Sequence, residues 1–382
     1  MTTQPLSLRP VRTKRERRSF LSLPWRVFAE DEACVPQLLL ERAMHLDPKQ
    51  NPFFQHAEAE LWIAYRGEEP VGRISAQVNR ESLAYRQDGT GNFGFLDAVD
   101  DPAVFAALFS AAEAWLKDKG MTRLTGPFSL SINDESGLLV EGFEARPYFM
   151  MGHAKPYYGR HVEAAGYRKA VDLLAYVFGI EQDPIAPSAR PLIQRLENDP
   201  SVAFRGLRKD RVVEDVRAIL TIFNDAWSDN WGFVPFTEAE VLQLAKDLKL
   251  LIRPDYLCIA EVDGEPAAFA VVLPNLNEAI ADLGGRLLPF GWAKLLYRLK
   301  IAGIKSARMP LMGVRKRYQG TPMGGALAFA VIDRLHKVSR ERGFKELELS
   351  WVLEDNLSTR RIIEAGQAQV HKTYRVYEKD LT

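Results

Sequence analysis

What this sequence lacks bounds it first. Its 382 residues include two cysteines, Cys34 and Cys258, too few for a disulfide framework or a four-sulfur zinc site. They suit a reducing compartment. Six histidines show neither HxxxH nor HxH spacing, so no metal site is expected. Net charge is missing as well: 50 Lys+Arg face 50 Asp+Glu, which leaves no global field to draw the chain onto nucleic acid. No run of 18 charge-free apolar residues occurs, so no membrane-spanning helix is expected. The basic start, Arg9 to Arg18, has no apolar stretch behind it and does not read as a secretory signal. The location expected is cytoplasmic. With 47% hydrophobic and 26% charged residues, disorder as the main state is excluded.

What is present begins with repetition. Leu61-Trp-Ile-Ala-Tyr-Arg-Gly-Glu-Glu-Pro-Val-Gly72 and Leu257-Cys-Ile-Ala-Glu-Val-Asp-Gly-Glu-Pro-Ala-Ala268 both read as strand, tight turn and strand. Ala64 and Ala260 are 196 apart, as are Pro70 and Pro266. Downstream, His161–Tyr167 echoes Ile362–Gln367, with Gly166 and Gly366 200 apart. Two similar offsets in one order indicate a duplicated unit. Three prolines in Ile180–Pro191 mark a linker. The expected domains are 1–179 and 192–382, joined by 180–191. Within the second, helices are expected at 212–227, 238–251, 324–342 and 358–365, and strands at 256–262, 267–273, 307–314 and 345–352. That is an α/β pattern with a mixed sheet.

The run Leu311-Met-Gly-Val-Arg-Lys-Arg-Tyr-Gln-Gly-Thr-Pro-Met-Gly-Gly-Ala-Leu327 carries the most chemistry. A strand passes through a basic, Gly-rich loop into a long helix. Outward-pointing N–H groups, the helix dipole and close backbone approach make such a start an anion site. It fits neither GxxxxGK[ST] nor GxGxxG.

This run resembles the pyrophosphate loop of GNAT-superfamily N-acyltransferases, [Q/R]-x-x-G-x-[G/A], with Gln319 and Gly324 at the outer positions. Pro322 stands where the family has a glycine, and it has no N–H to offer. The resemblance implies two tandem GNAT-like domains and acyl-CoA as co-substrate. It implies cofactor contacts from Met312, Val314, Arg315, Arg317, Gln319, Gly320, Met323, Gly324, Gly325 and Asn356. Met312 and Val314 would pair with the pantetheine arm through their backbone, and a carboxylate at Gly324 would face phosphate. The family's thiolate-protonating Tyr, seven residues after Asn356, is replaced by Ile363. Tyr374 and Tyr377, or Tyr318, are nominated instead. Candidate bases are Glu348 and Glu354, with Glu346 and Glu278 behind them. In the first half the matching stretch is Phe95–Pro102, whose Asp97, Asp100 and Asp101 repel phosphate. That half is expected to be a degenerate copy that shapes the acceptor site.

The acceptor is expected near Asn224, Trp227, Asp229 and Trp231, an amide- and tryptophan-rich stretch after a helix. Ser131–Gly137 reads as a polar turn, and Pro147–Gly152 with Tyr157 and Tyr158 as core or channel wall. The insertion 286–305 mixes Leu288, Phe290, Trp292 and Leu296 with Arg286, Lys294, Arg298 and Lys300. It suits a membrane surface, a long acyl chain or plain packing. In length, tandem layout and insertion the chain is similar to bacterial ceramide synthases. That resemblance implies acyl transfer from acyl-CoA to a sphingoid amine, with a peripheral membrane location. Transfer of acetyl to a small amine, or acyl-CoA binding without turnover, stays open.

Overall fold

The computed structural model describes residues 4–251 and 253–381, the side chains of 247–251 excepted. They form two units that are discontinuous in sequence. The N-terminal unit comprises Met1–Leu173, Ala279–Leu296 and Lys372–Thr382; the C-terminal unit comprises Leu174–Glu278 and Tyr297–His371.

In the N-terminal unit, β1 (Leu6–Pro10), β2 (Ala57–Arg66), β3 (Glu69–Asn79) and β4 (Thr90–Ala98) are antiparallel, each to the next. β5 (Arg123–Gly126) then runs parallel to β4, after the crossover helix Pro102–Asp118. β6 (Leu138–Glu141) follows, and β7 (Arg168–Gly179) begins in this unit and continues into the other from Leu174.

The C-terminal unit repeats the order. β8 (Val202–Arg205), β9 (Leu257–Val262), β10 (Glu265–Pro274) and β11 (Ser306–Val314) are antiparallel. β12 (Glu346–Leu353) is parallel to β11, after the helix Pro322–Glu341. The last strand, β13 (Gln369–Asp380), lies from Lys372 onward in the N-terminal unit, antiparallel to β5 and β6.

The repeat extends to individual residues. Ala64 pairs with Gly72 and Ala260 with Ala268, the same pair shifted by 196. Each hairpin has an irregularity at the same place, where Val71 and Ala267 are skipped in the pairing. Each turn has a left-handed residue there, Gly67 (φ 60°) and Asp263 (φ 53°). The expected elements of the second half form within two residues of their expected ends.

Both crossover helices pack by their apolar stripe. Pro102–Asp118 buries Val104, Phe105, Leu108, Phe109, Ala112 and Leu116, a helical spacing. Pro322–Glu341 buries Ala326, Leu327, Ala330, Val331 and Leu335. Each large side chain so buried contributes roughly 1.5–3 kcal/mol. Gly72 lets the first helix approach β3: a Cβ there would lie 2.7 Å from Val104 Cγ1.

The Pro-rich stretch 180–191 belongs to the C-terminal unit. The Ile180 N–H donates to the Lys345 carbonyl at 3.0 Å, and Ile185 is buried. Insertion residues 279–296 belong to the N-terminal unit, where Leu39 N–H donates to Gly285 O at 3.0 Å. Leu288 and Phe290 are 77% and 78% exposed, and Trp292, Leu296 and Ile301 are exposed too. No helix among the described residues is long and apolar enough to cross a membrane.

Candidate functional site

β11 and β12 pair for only four residues, Ser306–Met309 against Glu346–Leu349. Pro310, which has no N–H, follows at once, and the β10–β11 register slips there. Beyond that point the two strands part around a cavity of about 780 Å³. β11 contributes Met309, Pro310, Met312, Gly313 and Val314, and β12 contributes Leu349 to Leu353. Gln319, Gly320, Thr321, Gly324 and Gly325 close one end; Trp227, Asp229, Asn230 and Trp231 line it as well.

The helix start expected to take an anion lies at that end, with changes from expectation. Thr321 caps the helix by accepting from Gly324 N–H at 3.1 Å, so that N–H is spent inside the loop. Gly324 itself is required by sterics, since a Cβ would collide with the Tyr318 carbonyl oxygen. The expected reason, a carboxylate facing phosphate, is therefore not what a substitution there would report. Gly325 and Gly320 are the open glycines: a Cβ at either would meet nothing within 4 Å, and both line the cavity. Gln319 Nε2 donates to Val314 O at 2.8 Å, bracing the loop. Lys316 lines the cavity, and its Nζ holds Asp229 and Ser228 at 2.6 Å each. Arg317 lies over the Tyr318 ring, and neither Arg315, Arg317 nor Met323 is among the lining residues.

The other expected residues divide. Trp227 donates Nε1–H to the Met312 carbonyl at 3.1 Å and meets Trp351 edge-on. Together with Gln319 it occupies carbonyls of the two β11 residues expected to pair with a pantetheine arm. Asn356 lines the cavity and caps the helix Leu357–Ala365, accepting from Thr359 N–H at 3.2 Å. Ile363 lines it too, where the family's Tyr would stand. Asn224, Glu354 and Tyr318 do not line it. Glu278 instead accepts from Lys305 and Ser306 backbone N–H groups, and Glu346 is exposed. Tyr374 and Tyr377 belong to the N-terminal unit's part of β13 and are fully buried. The Tyr377 hydroxyl donates to Glu163 at 3.2 Å, and burial, then that carboxylate, pushes its phenol up to about 12. They therefore belong to the N-terminal unit and not to the unit that holds this cavity.

Glu348 is brought to the site. It is fully buried on β12 and accepts from the Ser350 hydroxyl at 2.5 Å, and Ser350 lines the cavity. Its other oxygen lies 2.8 Å from His371 Nε2. Arg308, opposite Glu348 in the β11–β12 register, donates to Ser350 Oγ at 2.8 Å and to Ser350 O at 3.1 Å. Sequence reasoning missed Arg308, Ser350 and His371 as a group. The only signal was the period-two placement of Glu348 and Ser350 on one strand face.

This arrangement is the fold of tandem GNAT proteins. Among solved structures, the fold is similar over 99% of the chain to a tandem GNAT protein from the clavulanic acid biosynthesis pathway (TM-score 0.59, 14% identity, 99% of that chain). It is similar over 99% to a GCN5-related N-acetyltransferase from Sphaerobacter thermophilus (TM-score 0.56, 16% identity, 97% of that chain). No family model matches the chain. At full length it is 48% identical, over all of this chain and 99% of the relative, to a protein named bacterial ceramide synthase from Caulobacter vibrioides. It is 44% identical, over 96% of this chain and 94% of the relative, to protein YghO of Escherichia coli. The chain belongs to the family of these two proteins and is an N-acyltransferase.

Proposed function

We propose that the chain moves a long-chain acyl group from acyl-CoA to the amine of a sphingoid base. The observation that carries the reading is the 780 Å³ cavity between the parted strands β11 and β12, at the start of the helix Pro322–Glu341. Its end near Gly320, Gln319 and Gly325 suits a pyrophosphate, and its walls of Met309, Leu349, Ile332 and Ile363 suit an acyl chain. The 48% identity to a bacterial ceramide synthase supports the acceptor class.

In this reading the amine nitrogen attacks the thioester carbonyl carbon, a C–N bond forms and the C–S bond breaks with its electron pair on sulfur. The proton lost by nitrogen passes to Ser350 Oγ while the Ser350 hydroxyl proton moves to Glu348. Arg308 and His371 hold the two acceptors in place. Ile363 offers no proton, so the thiolate takes its own from water. The N-terminal unit is the degenerate copy, and the apolar and basic insertion rests on an anionic membrane surface through Leu288, Phe290 and Trp292, with Lys294 on the same segment.

The test is thiol release from palmitoyl-CoA and from acetyl-CoA, with sphinganine, 3-oxosphinganine or mixed polar amines as acceptor. Release that needs both the long acyl-CoA and the long-chain base is expected. Release with acetyl-CoA and a polar amine alone would replace the acceptor and donor named here. For the surface, Leu288→Ser with Phe290→Ser is expected to lower sedimentation with anionic vesicles; unchanged sedimentation would remove the membrane contact.

A further inference from the structure

The N-terminal unit has its own wedge. β4 and β5 pair only over Thr90–Asn92 and Arg123–Thr125, and a cavity of about 140 Å³ lies beyond, between Phe95–Asp97 and the chain after β5. One wall is apolar, with Leu21, Trp25 and Phe28. The other is charged. Arg73 Nε donates to Asp97 at 2.8 Å, and Arg42 pairs with Glu135, which also accepts from the Ser129 hydroxyl at 3.1 Å. These ions answer one another.

His153 is different. Its side chain is 6% exposed, lines the cavity, and places Nε2 3.1 Å from Asp31 Oδ2. Lys155 Nζ lies 3.0 Å from the same oxygen, and Asp31 titrates below the usual carboxylate range: burial opposes that, and Lys155 and His153 outweigh it. An ionised carboxylate only accepts, so Nε2 carries the ring hydrogen. Burial, opposed by Asp31, lowers the His153 pKa and so favours the neutral ring. Nδ1 is then a lone pair, and it is buried without a hydrogen-bond partner among the described residues. Leaving such an acceptor unpaired is costly, and a ligand that donates to it removes the cost.

We propose that this cavity binds the polar head of an amino alcohol, which donates an N–H or O–H to His153 Nδ1 and sets its amine near Glu135. The size agrees. A dry cavity of about 150 Å³ holds benzene, roughly six heavy atoms; a 2-amino-1,3-diol head has as many. The inference rests on the amine-acceptor reading above for the ligand class alone; the amine held in this cavity is not the one that reacts beside Ser350.

The experiment is calorimetric titration of the full chain with 2-aminooctane-1,3-diol, with no acyl-CoA present. Binding is expected, weakened at least tenfold by His153→Phe and by Glu135→Gln, while coenzyme A affinity is unchanged in both. A second measurement needs no variant: the ¹⁵N resonance of His153 Nδ1 in the wild-type chain is expected to move upfield as the probe saturates. No binding by the wild type, equal affinity in His153→Phe, or an Nδ1 resonance that stays put would each overturn the proposal. Failure of acyl transfer with intact probe binding would instead overturn only the reaction assigned to the other unit.

Discussion

The two units build the same strand, loop and helix with different charge at the helix start. In the N-terminal unit the end of β4 and the loop after it carry Asp97, Asp100 and Asp101, and Asp101 caps the helix Pro102–Asp118 with its own carboxylate. Each acid has a local partner: Arg73, the Arg160–His161 pair, and Arg66. In the C-terminal unit the corresponding helix is capped by the neutral Thr321, beside two open glycines. The wedges differ as well. Phe128 N–H bonds to Phe93 O at 2.8 Å, so the chain after β5 follows β4 and narrows the first cavity to 140 Å³. Beyond the β11–β12 pairing nothing comparable among the described residues fills the second, which keeps about 780 Å³. One scaffold thus holds a large space at a neutral helix start and a small polar space beside an acidic one. Charge at the cap and the path of one loop are enough to separate them.

The largest expected effect breaks that comparison at its anion end. Gly325→Glu puts a carboxylate into open space at the second unit's helix start, making it resemble the first. Like charges about 4 Å apart near a surface cost roughly 4 kcal/mol, so coenzyme A affinity is expected to fall about a thousandfold. Calorimetry checks it, with Gly325→Ala near wild type as the steric control. If Gly325→Glu binds coenzyme A normally, the anion assignment is wrong.

Next, Glu348→Gln is expected to lower kcat by roughly 10²–10⁴ while coenzyme A affinity is kept. It also leaves Arg308 without its charge partner in a buried site, so lower thermal stability should accompany it. Ser350→Ala keeps that charge and isolates the relay. A kcat for Ser350→Ala equal to wild type would take Ser350 out of the proton path.

The smallest effect uses the caps themselves. Thr321→Ala and Asp101→Ala each remove a side-chain cap and are expected to cost about 1 kcal/mol by denaturant unfolding. Only Thr321→Ala should also raise the KM for acyl-CoA. A matching rise in Asp101→Ala would mean that both units share the cofactor's work.

Much of this was legible before the structure, and for local reasons. The hairpin pattern around Gly67 and Asp263 rests on turn chemistry, and the strand–loop–helix run 311–327 rests on periodicity and glycine. Glu348 was one of four candidate bases, and only its hydrogen bond to cavity-lining Ser350 separates it from Glu278, Glu346 and Glu354. The tyrosines on β13 show the opposite case. Their place in the chain follows the motif, but their place in space follows a strand that completes the other unit's sheet. His153 read as nothing in particular, because its partner Asp31 is 122 residues away.

By itself, then, the sequence determined the duplication, the order of strands and helices, the anion-suited helix start and the acidic one, since each depends on residues within a turn or two of one another. Only the tertiary structure decided which carboxylate reaches a cavity, that Gly324 answers to the Tyr318 carbonyl, and that the first unit keeps a polar pocket with an unpaired imidazole nitrogen. Those outcomes depend on contacts between segments far apart in the chain, where pairing, burial and close approach are set by the whole fold and leave no mark on local spacing.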